Sequence, residues 1–110
     1  DTIIGGSGAM KADGGDGKDL LIGGTFKDTL TGGAGGDSFR FVKTGSASSA
    51  THVITDFTHG MDKIDLSGGG YTMADITSAT IKAGSTIIKL SDGTQITLKN
   101  FTNLSASDFT

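Results

Sequence analysis

Large apolar residues return every nine positions at the start of the chain, at Ile3, Leu21, Leu30 and Phe39, with the small Ala12 filling the one missing step. Glycine pairs keep the same period, at Gly5/Gly6, Gly14/Gly15, Gly23/Gly24 and Gly32/Gly33. The blocks so marked read GGSGAMKAD, GGDGKDLLI, GGTFKDTLT and GGAGGDSFR, running from residue 5 to residue 40. Within each block the first six residues predict a glycine-rich turn and the last three a short strand. Two blocks then complete one coil of about eighteen residues. Strand alternation turns Leu21 and Leu30 inward from opposite walls and leaves Leu20, Ile22, Thr29 and Thr31 outside. One interior side chain per nine residues makes a thin core, which works because each coil buries its face on the next.

Past residue 40 the period of nine is lost and ordinary strand patterns take over. Residues 38–43 alternate Phe39 and Phe41 with Arg40 and Val42 and extend the roll. Residues 44–51 are small and polar and predict a loop. Strands are expected over 52–57 and 63–66, with a turn at 58–60 between them and three glycines after Ser67. Residues 71–76 predict a single helical turn. The runs 86–90 and 95–99 flank Ser91-Asp92-Gly93-Thr94, and Asp-Gly between alternating runs is a strong hairpin signal. Residues 104–109 read as a capped helical turn that docks Phe109. The expected fold is all-β: a right-handed parallel β-roll over 1–43, capped by a short antiparallel β segment over 44–110, the two folding as one unit.

Composition changes this picture by asking what stabilises it. The chain has 110 residues, 19 of them Gly, with no Cys, Pro or Trp and only 6% aromatics. Each Gly loses more backbone freedom on folding than other residues do. No disulfide can compensate, and a structural metal is the obvious alternative. All twelve acidic residues are Asp, and the net charge is −3. Residues 1–37 carry six Asp against Lys11, Lys18 and Lys27, so the repeat half holds the whole negative excess. Such a surplus needs solvent or cations. The absence of Cys leaves the compartment open. No apolar run approaches membrane-spanning length and no signal peptide is visible. Residue 1 falls in mid-repeat, with Asp1 in sixth place and Ile3 in eighth, which reads as part of a longer polypeptide with an upstream domain.

Asp occupies sixth place in three blocks, at Asp19, Asp28 and Asp37. Calcium takes six to eight oxygens from carboxylates and carbonyls, and a Gly-Gly-x-Gly-x-Asp turn offers both, because Gly permits backbone angles that let successive carbonyls aim at one point. Several Ca2+ ions are expected. Turns on one side of the roll lie eighteen residues apart, which pairs Asp1 with Asp19, Asp19 with Asp37, and the 5–10 turn with Asp28. The candidate ligands are therefore Asp1, Asp16, Asp19, Asp28 and Asp37, with the turn backbone at Gly5, Gly6, Gly8, Gly14, Gly15, Gly17, Gly23, Gly24, Gly32, Gly33 and Gly35. The sites are unequal. Met10 stands where the 5–10 turn needs Asp, and Phe26 replaces the third Gly of its turn, which should strain or reshape that loop. The best site is expected between 14–19 and 32–37. Asp13 or Asp16 could offset the loss at Met10.

The blocks at 14–22 and 32–40 fit the pattern GGxGxDxUx at every defined place, Phe39 counting as the large apolar residue. Over its first forty residues the chain resembles the RTX family, the haemolysin-type calcium-binding repeats of proteins exported by bacterial type I secretion. GGAGGDSFRF followed by HVITDFTHGMDKIDLS is similar to the C-terminal region of serralysin-type proteases, and mannuronan epimerases carry similar modules. The final IIKLSDGTQITLKNFTNLSASDF resembles the tails of RTX exoproteins more loosely. The resemblance implies a parallel β-roll, bound calcium, and a secreted bacterial protein that folds outside the cell after passing a type I secretion apparatus. It also implies calcium at acidic residues just beyond the roll, here Asp56, Asp62 and Asp65. His52 stands where related segments often have Asp.

Catalytic readings find little. His52 and His59 flank Asp56, but the expectation for both is a solvent-facing loop or strand position. No HExxH zinc motif and no Gly-x-Ser-x-Gly nucleophile elbow occurs. The glycine turns are not a phosphate loop, since no Gly-Lys-Ser/Thr follows and the Asp residues would repel phosphate. No nucleic-acid partner and no enzymatic activity are expected of this stretch. The expected function is a non-catalytic calcium-binding module for folding and secretion. The alternative is an accessory module that binds an acidic, alginate-like polysaccharide through its scattered Lys side chains.

Overall fold

A computed structural model describes residues 1–6, 8–43 and 50–110. The loop expected at 44–51 lies, through residue 49, outside them. The chain shuttles between two facing sheets, as a two-walled coil requires. The strands are β1 (Thr2–Ile4), β2 (Met10–Asp13), β3 (Leu20–Gly23), β4 (Lys27–Thr31), β5 (Ser38–Phe41), β6 (Thr51–Ile54), β7 (Lys63–Asp65), β8 (Ile76–Lys82), β9 (Ser85–Leu90) and β10 (Gln95–Leu98). One sheet has the order β1-β3-β5-β7 and the other β2-β4-β6-β10-β9-β8. The first sheet is parallel throughout; the second is parallel from β2 through β10 and antiparallel at β10-β9-β8. This is an all-β roll with an antiparallel end.

Within the repeats, register follows the period: Leu21 lies opposite Ile3 and Phe39, and Leu30 opposite Ala12. Leu21, Leu30 and Phe39 are fully buried, while Leu20, Ile22, Thr29 and Thr31 are half-buried on the outer faces. Parallel stacking does not stop where the repeat stops. Thr51 pairs with Lys27 and Lys63 with Ser38, offsets longer than eighteen that the turns between them absorb. Alternation survives this change of length, so Ile54 and Ile64 still point inward and are fully buried. The antiparallel part is therefore confined to β8–β10.

The end segment is fastened by apolar and polar contacts. Phe57 bridges Phe39 (ring centroids 6.2 Å apart) and Phe101 (5.0 Å, edge-on), and aromatic pairs at such distances add to plain area burial. The Thr86 hydroxyl donates to the Phe101 carbonyl at 2.6 Å. The expected hairpin is β9–β10, with Gly93 at positive φ and Asp92 accepting from Thr94 N–H. The helical turn expected at 71–76 is a 3-10 turn at Met73–Asp75, held by a reciprocal Thr72/Asp75 capping box. A second capping box, Ser105/Asp108, starts the turn at Ala106–Asp108. Phe109 then bridges to Ile64 and leans on the core. Strand β8 has no counterpart in the expected elements. It is an edge strand that turns almost nothing inward, and it turns into β9 through Ala83 and Gly84, both at positive φ.

Candidate metal centre

The two sides of the roll differ in backbone and in side chain. On the first side, turns 14–19 and 32–37 stack directly. Gly15 and Gly33 have φ of 79° and 87°, and Gly17 and Gly35 have 93° and 99°. These left-handed positions point the carbonyls of one turn at the next. A β-carbon on Gly33 would sit 2.2 Å from the Gly15 carbonyl oxygen, and one on Gly35 would sit 2.5 Å from that of Gly17. On the second side, none of Gly5, Gly6, Gly23 and Gly24 is left-handed. Phe26 is not left-handed either, so its turn is reshaped and not strained.

Carboxylates form a column on the first side. The Asp19 N–H donates to Asp37 Oδ1 at 3.0 Å, and the Asp37 N–H to Asp62 Oδ1 at 2.8 Å. The Asp1 nitrogen makes the same link to Asp19 Oδ1. The other oxygens, Asp19 Oδ2 and Asp37 Oδ2, are buried and have no hydrogen-bond partner. Asp19 Oδ2 and the Gly32 carbonyl oxygen both border the space where Gly14 lacks a β-carbon, 2.6 and 2.8 Å from that position. Asp37 Oδ2 occupies the equivalent place beside Gly32. A buried, unpaired acceptor of this kind costs about 1–3 kcal/mol, and more when charged. Oxygens from two turns, negative and unpartnered, fit a hard cation such as calcium. Among the described residues no three His, Asp or Glu side chains converge as a metal cluster, so most of any ligand shell here must be backbone carbonyls.

The remaining candidates fall elsewhere. The Asp1 carboxylate is exposed, and only its backbone nitrogen meets Asp19. Asp16 is exposed, whereas Asp13 holds the turn by accepting from Gly15 N–H. Asp56 accepts from Gly32 and Gly33, one N–H on each oxygen. Asp62 accepts from Asp37 and Thr58 in the same way. Asp65 is bonded to Arg40 and Gly68 N–H. Asp56, Asp62 and Asp65 thus have partners without an ion. Lys11, Lys27 and Lys89 stand exposed on the outer face of the six-stranded sheet.

Electrostatics single out Asp37. Burial, reinforced by the carboxylates of Asp62, Asp19 and Asp56, pushes its carboxyl up to about 6 against the pull of the Asp19 N–H. Burial also raises Asp62, opposed by the N–H groups of Asp37 and Thr58. Asp65 goes the other way: its burial is outweighed by the Gly68 N–H and the Arg40 guanidinium.

The second side carries Met10, Asp28 and His52 in register on β2, β4 and β6. The 5–10 turn does stack on 23–28, since a β-carbon on Gly24 would collide with the Gly6 carbonyl oxygen. Asp28 Oδ2 accepts from Gly24 N–H at 2.6 Å, while Asp28 Oδ1 is buried without a partner. His52 corrects the expectation of a solvent-facing histidine: it is 1% exposed. Its Nδ1 lies 3.1 Å from Asp28 Oδ2, inside ion-pair distance but without hydrogen-bond geometry. Burial lowers its pKa although Asp28 pulls the other way. The signal was available in HVITDF, where His52 shares parity with the core residue Ile54. His59 is half-exposed and contacts Asp108 at 2.8 Å.

Residues 3–109 match the sequence model of the family described as Peptidase M10 serralysin C terminal. The fold is similar to the solution structure of the AlgE6R3 subunit from the Azotobacter vinelandii mannuronan C5-epimerase, with a TM-score of 0.75 and 28% identity, over 99% of this chain and 71% of that one. No curated protein sequence matches the chain.

Two outcomes are expected. Gly33→Ala should lose at least the ~1–3 kcal/mol cost of a left-handed non-glycine residue, with the Gly15 collision added. Gly6→Ala, with open space around it, should stay within about 0.5 kcal/mol of the parent; urea unfolding in calcium separates them, and equal losses would contradict the stacked-turn geometry. For pH, Asp37 binds a proton more tightly in the metal-free folded chain (about 6) than when unfolded (3.8). Its contribution is complete below the unfolded value and is lost as pH rises through about 6. The metal-stripped chain should therefore resist urea better at pH 4 than at pH 7. Calcium binding should release protons between those limits. A metal-stripped chain more stable at pH 7 would refute the assignment.

Proposed function

Because the chain belongs to the peptidase M10 serralysin C-terminal family, we propose that it is a non-catalytic, calcium-binding accessory module whose folding waits for the ion. The observation that carries this reading is the pair of buried, unpartnered oxygens Asp19 Oδ2 and Asp37 Oδ2 on one side of the roll. The carboxylates of Asp19 and Asp37 and the carbonyls of Gly15, Gly17 and Gly32 are the groups that hold calcium. Asp56 and Asp62 position the 32–37 turn from outside through its N–H groups. Bound calcium supplies positive charge; the chain, as it folds around the ion, supplies the oxygens and shields them from water.

Extracellular calcium modules bind with dissociation constants of ~10⁻⁴–10⁻³ M. At cytosolic calcium the column is empty and its carboxylates repel one another, which keeps the chain loose enough for a type I exporter. Outside, each site filled at ten times its dissociation constant adds about 1.4 kcal/mol. Ions sharing the Asp19–Asp37 column then couple the sites, and the roll folds outside the cell as part of a larger bacterial polypeptide with an upstream domain.

Circular dichroism during a calcium titration tests this. The parent chain is expected to gain its β signal with calcium and lose it in EGTA, and Asp37→Asn to need at least about tenfold more calcium. A β signal that persists in excess EGTA sinks the folding switch.

A further inference from the structure

An aspartate can isomerise when the backbone nitrogen that follows it reaches its own carboxyl carbon, and a following glycine has no β-carbon to hinder the approach. Three of the twelve Asp stand before Gly, at Asp13-Gly14, Asp16-Gly17 and Asp92-Gly93. The fold treats the three differently. The Gly14 N–H donates to the Thr31 carbonyl at 2.9 Å, and Asp13 Oδ1 accepts from Gly15 N–H. The Gly93 N–H donates to the Leu90 carbonyl at 3.0 Å. Asp92 is tied through both oxygens, one accepting from the Tyr71 hydroxyl at 2.6 Å and the other from Thr94 N–H at 3.0 Å. Asp16 and Gly17 are both exposed, and among the described residues neither the Asp16 carboxylate nor the Gly17 N–H has a hydrogen-bond partner.

We propose that Asp16-Gly17 is a modification site, the bond at which the folded module converts spontaneously to isoaspartate, and that this conversion weakens its calcium column. The Gly17 nitrogen attacks the side-chain carboxyl carbon of Asp16. A cyclic imide closes, and a water leaves, made from the amide hydrogen and the carboxyl hydroxyl. A water then opens the ring at the former main-chain carbonyl. The peptide link now runs through the side chain of residue 16, whose α-carboxyl is left free. The water released equals the water consumed, and nothing is oxidised or reduced.

Space favours the same bond. A β-carbon on Gly17 would meet nothing within 4 Å, so an imide ring has room there. A β-carbon on Gly14 would lie 2.6 Å from Asp19 Oδ2 and 2.8 Å from the Gly32 carbonyl oxygen, so the ring at 13–14 has none. The consequence falls on the stacked turns. An isoaspartyl link adds a carbon to the backbone between residues 16 and 17. Gly35 packs on the Gly17 carbonyl so closely that a β-carbon on it would sit 2.5 Å from that oxygen. A lengthened turn cannot keep both this stack and the aim of the carbonyl. The loss of calcium affinity rests on the Gly17 carbonyl being a calcium ligand; the isomerisation does not.

The chain is aged at neutral pH in saturating calcium and, in parallel, unfolded in urea. Peptides are then mapped by mass spectrometry with electron-transfer fragmentation, which separates residue 13 from residue 16 within one peptide. In the folded chain, isoaspartate at 16 should exceed that at 13 or 92 by at least about tenfold, because the ladder at Gly14 and the hairpin at Gly93 must open locally before they react. In urea the three should form at similar rates. The fraction carrying isoaspartate at 16 should need several-fold more calcium for its β signal than the unmodified fraction. Asp16→Glu, whose longer side chain closes a ring far more slowly, should show no drift of its calcium titration with age. Isoaspartate in the folded chain that is absent at 16, or no more frequent there than at 13 or 92, overturns the site. A modified fraction that responds to calcium as the unmodified one does overturns its effect. The modification is read by mass alone, and a failed calcium switch would leave both fractions insensitive to EGTA, so the two failures are distinct.

Discussion

Two buried carboxylate oxygens without partners, on Asp19 and Asp37, set the terms for the rest of this structure. The backbone ladder satisfies one oxygen of each Asp through the N–H of the residue one coil earlier. It leaves the second oxygen facing the carbonyls of stacked glycine turns, so negative groups collect along one edge of the roll. The apolar interior cannot offset this alone, since each coil contributes one large side chain per wall. The roll is therefore coherent when a cation, or a proton at low pH, joins the column.

Glycine makes that column possible and also limits it. Left-handed residues at Gly15, Gly17, Gly33 and Gly35 let one turn sit on the next at a distance that excludes any β-carbon. On the opposite edge Gly6 and Gly24 lack those conformations, and Asp28 stands between Met10 and His52 as the carboxylate in register. There the sheet is held by side chains: Asp28, His52 and the Phe41 ring form a compact polar-aromatic contact inside the wall. The module thus has one edge lined by carboxylate and carbonyl oxygens and one where Met10, Asp28 and His52 lie in register. The apolar bridge Phe39–Phe57–Phe101 ties both edges to the antiparallel end.

Much of this was legible in the sequence, for physical reasons. A period of nine with an inward Leu or Phe defines both walls, and β1 to β5 fall where it puts them. The Asp-Gly hairpin and the two capped turns are equally local signals. What was not legible is non-local. Nothing in residues 42–66 tells that β6 and β7 stack in parallel on β4 and β5 after the repeat ends, because their offsets depend on the lengths of intervening turns. Strand β8 buries too little to leave an alternating pattern. Asp1 has the spacing of a ligand, and its backbone nitrogen is what meets Asp19. His52 looked like a surface residue because its partner, Asp28, is distant in sequence and becomes its neighbour only through strand register.

The central claim is that hard cations occupy the Asp19–Asp37 edge and not the Met10–Asp28–His52 edge. The most direct measurement is a crystal structure of the chain grown with a lanthanide in place of calcium, read by anomalous scattering. The account predicts peaks between turns 14–19 and 32–37, within bonding distance of Asp19 Oδ2 or Asp37 Oδ2, and no peak at Asp28. Peaks confined to the Asp28 edge, or a folded roll with none on the Asp19–Asp37 edge, would contradict it.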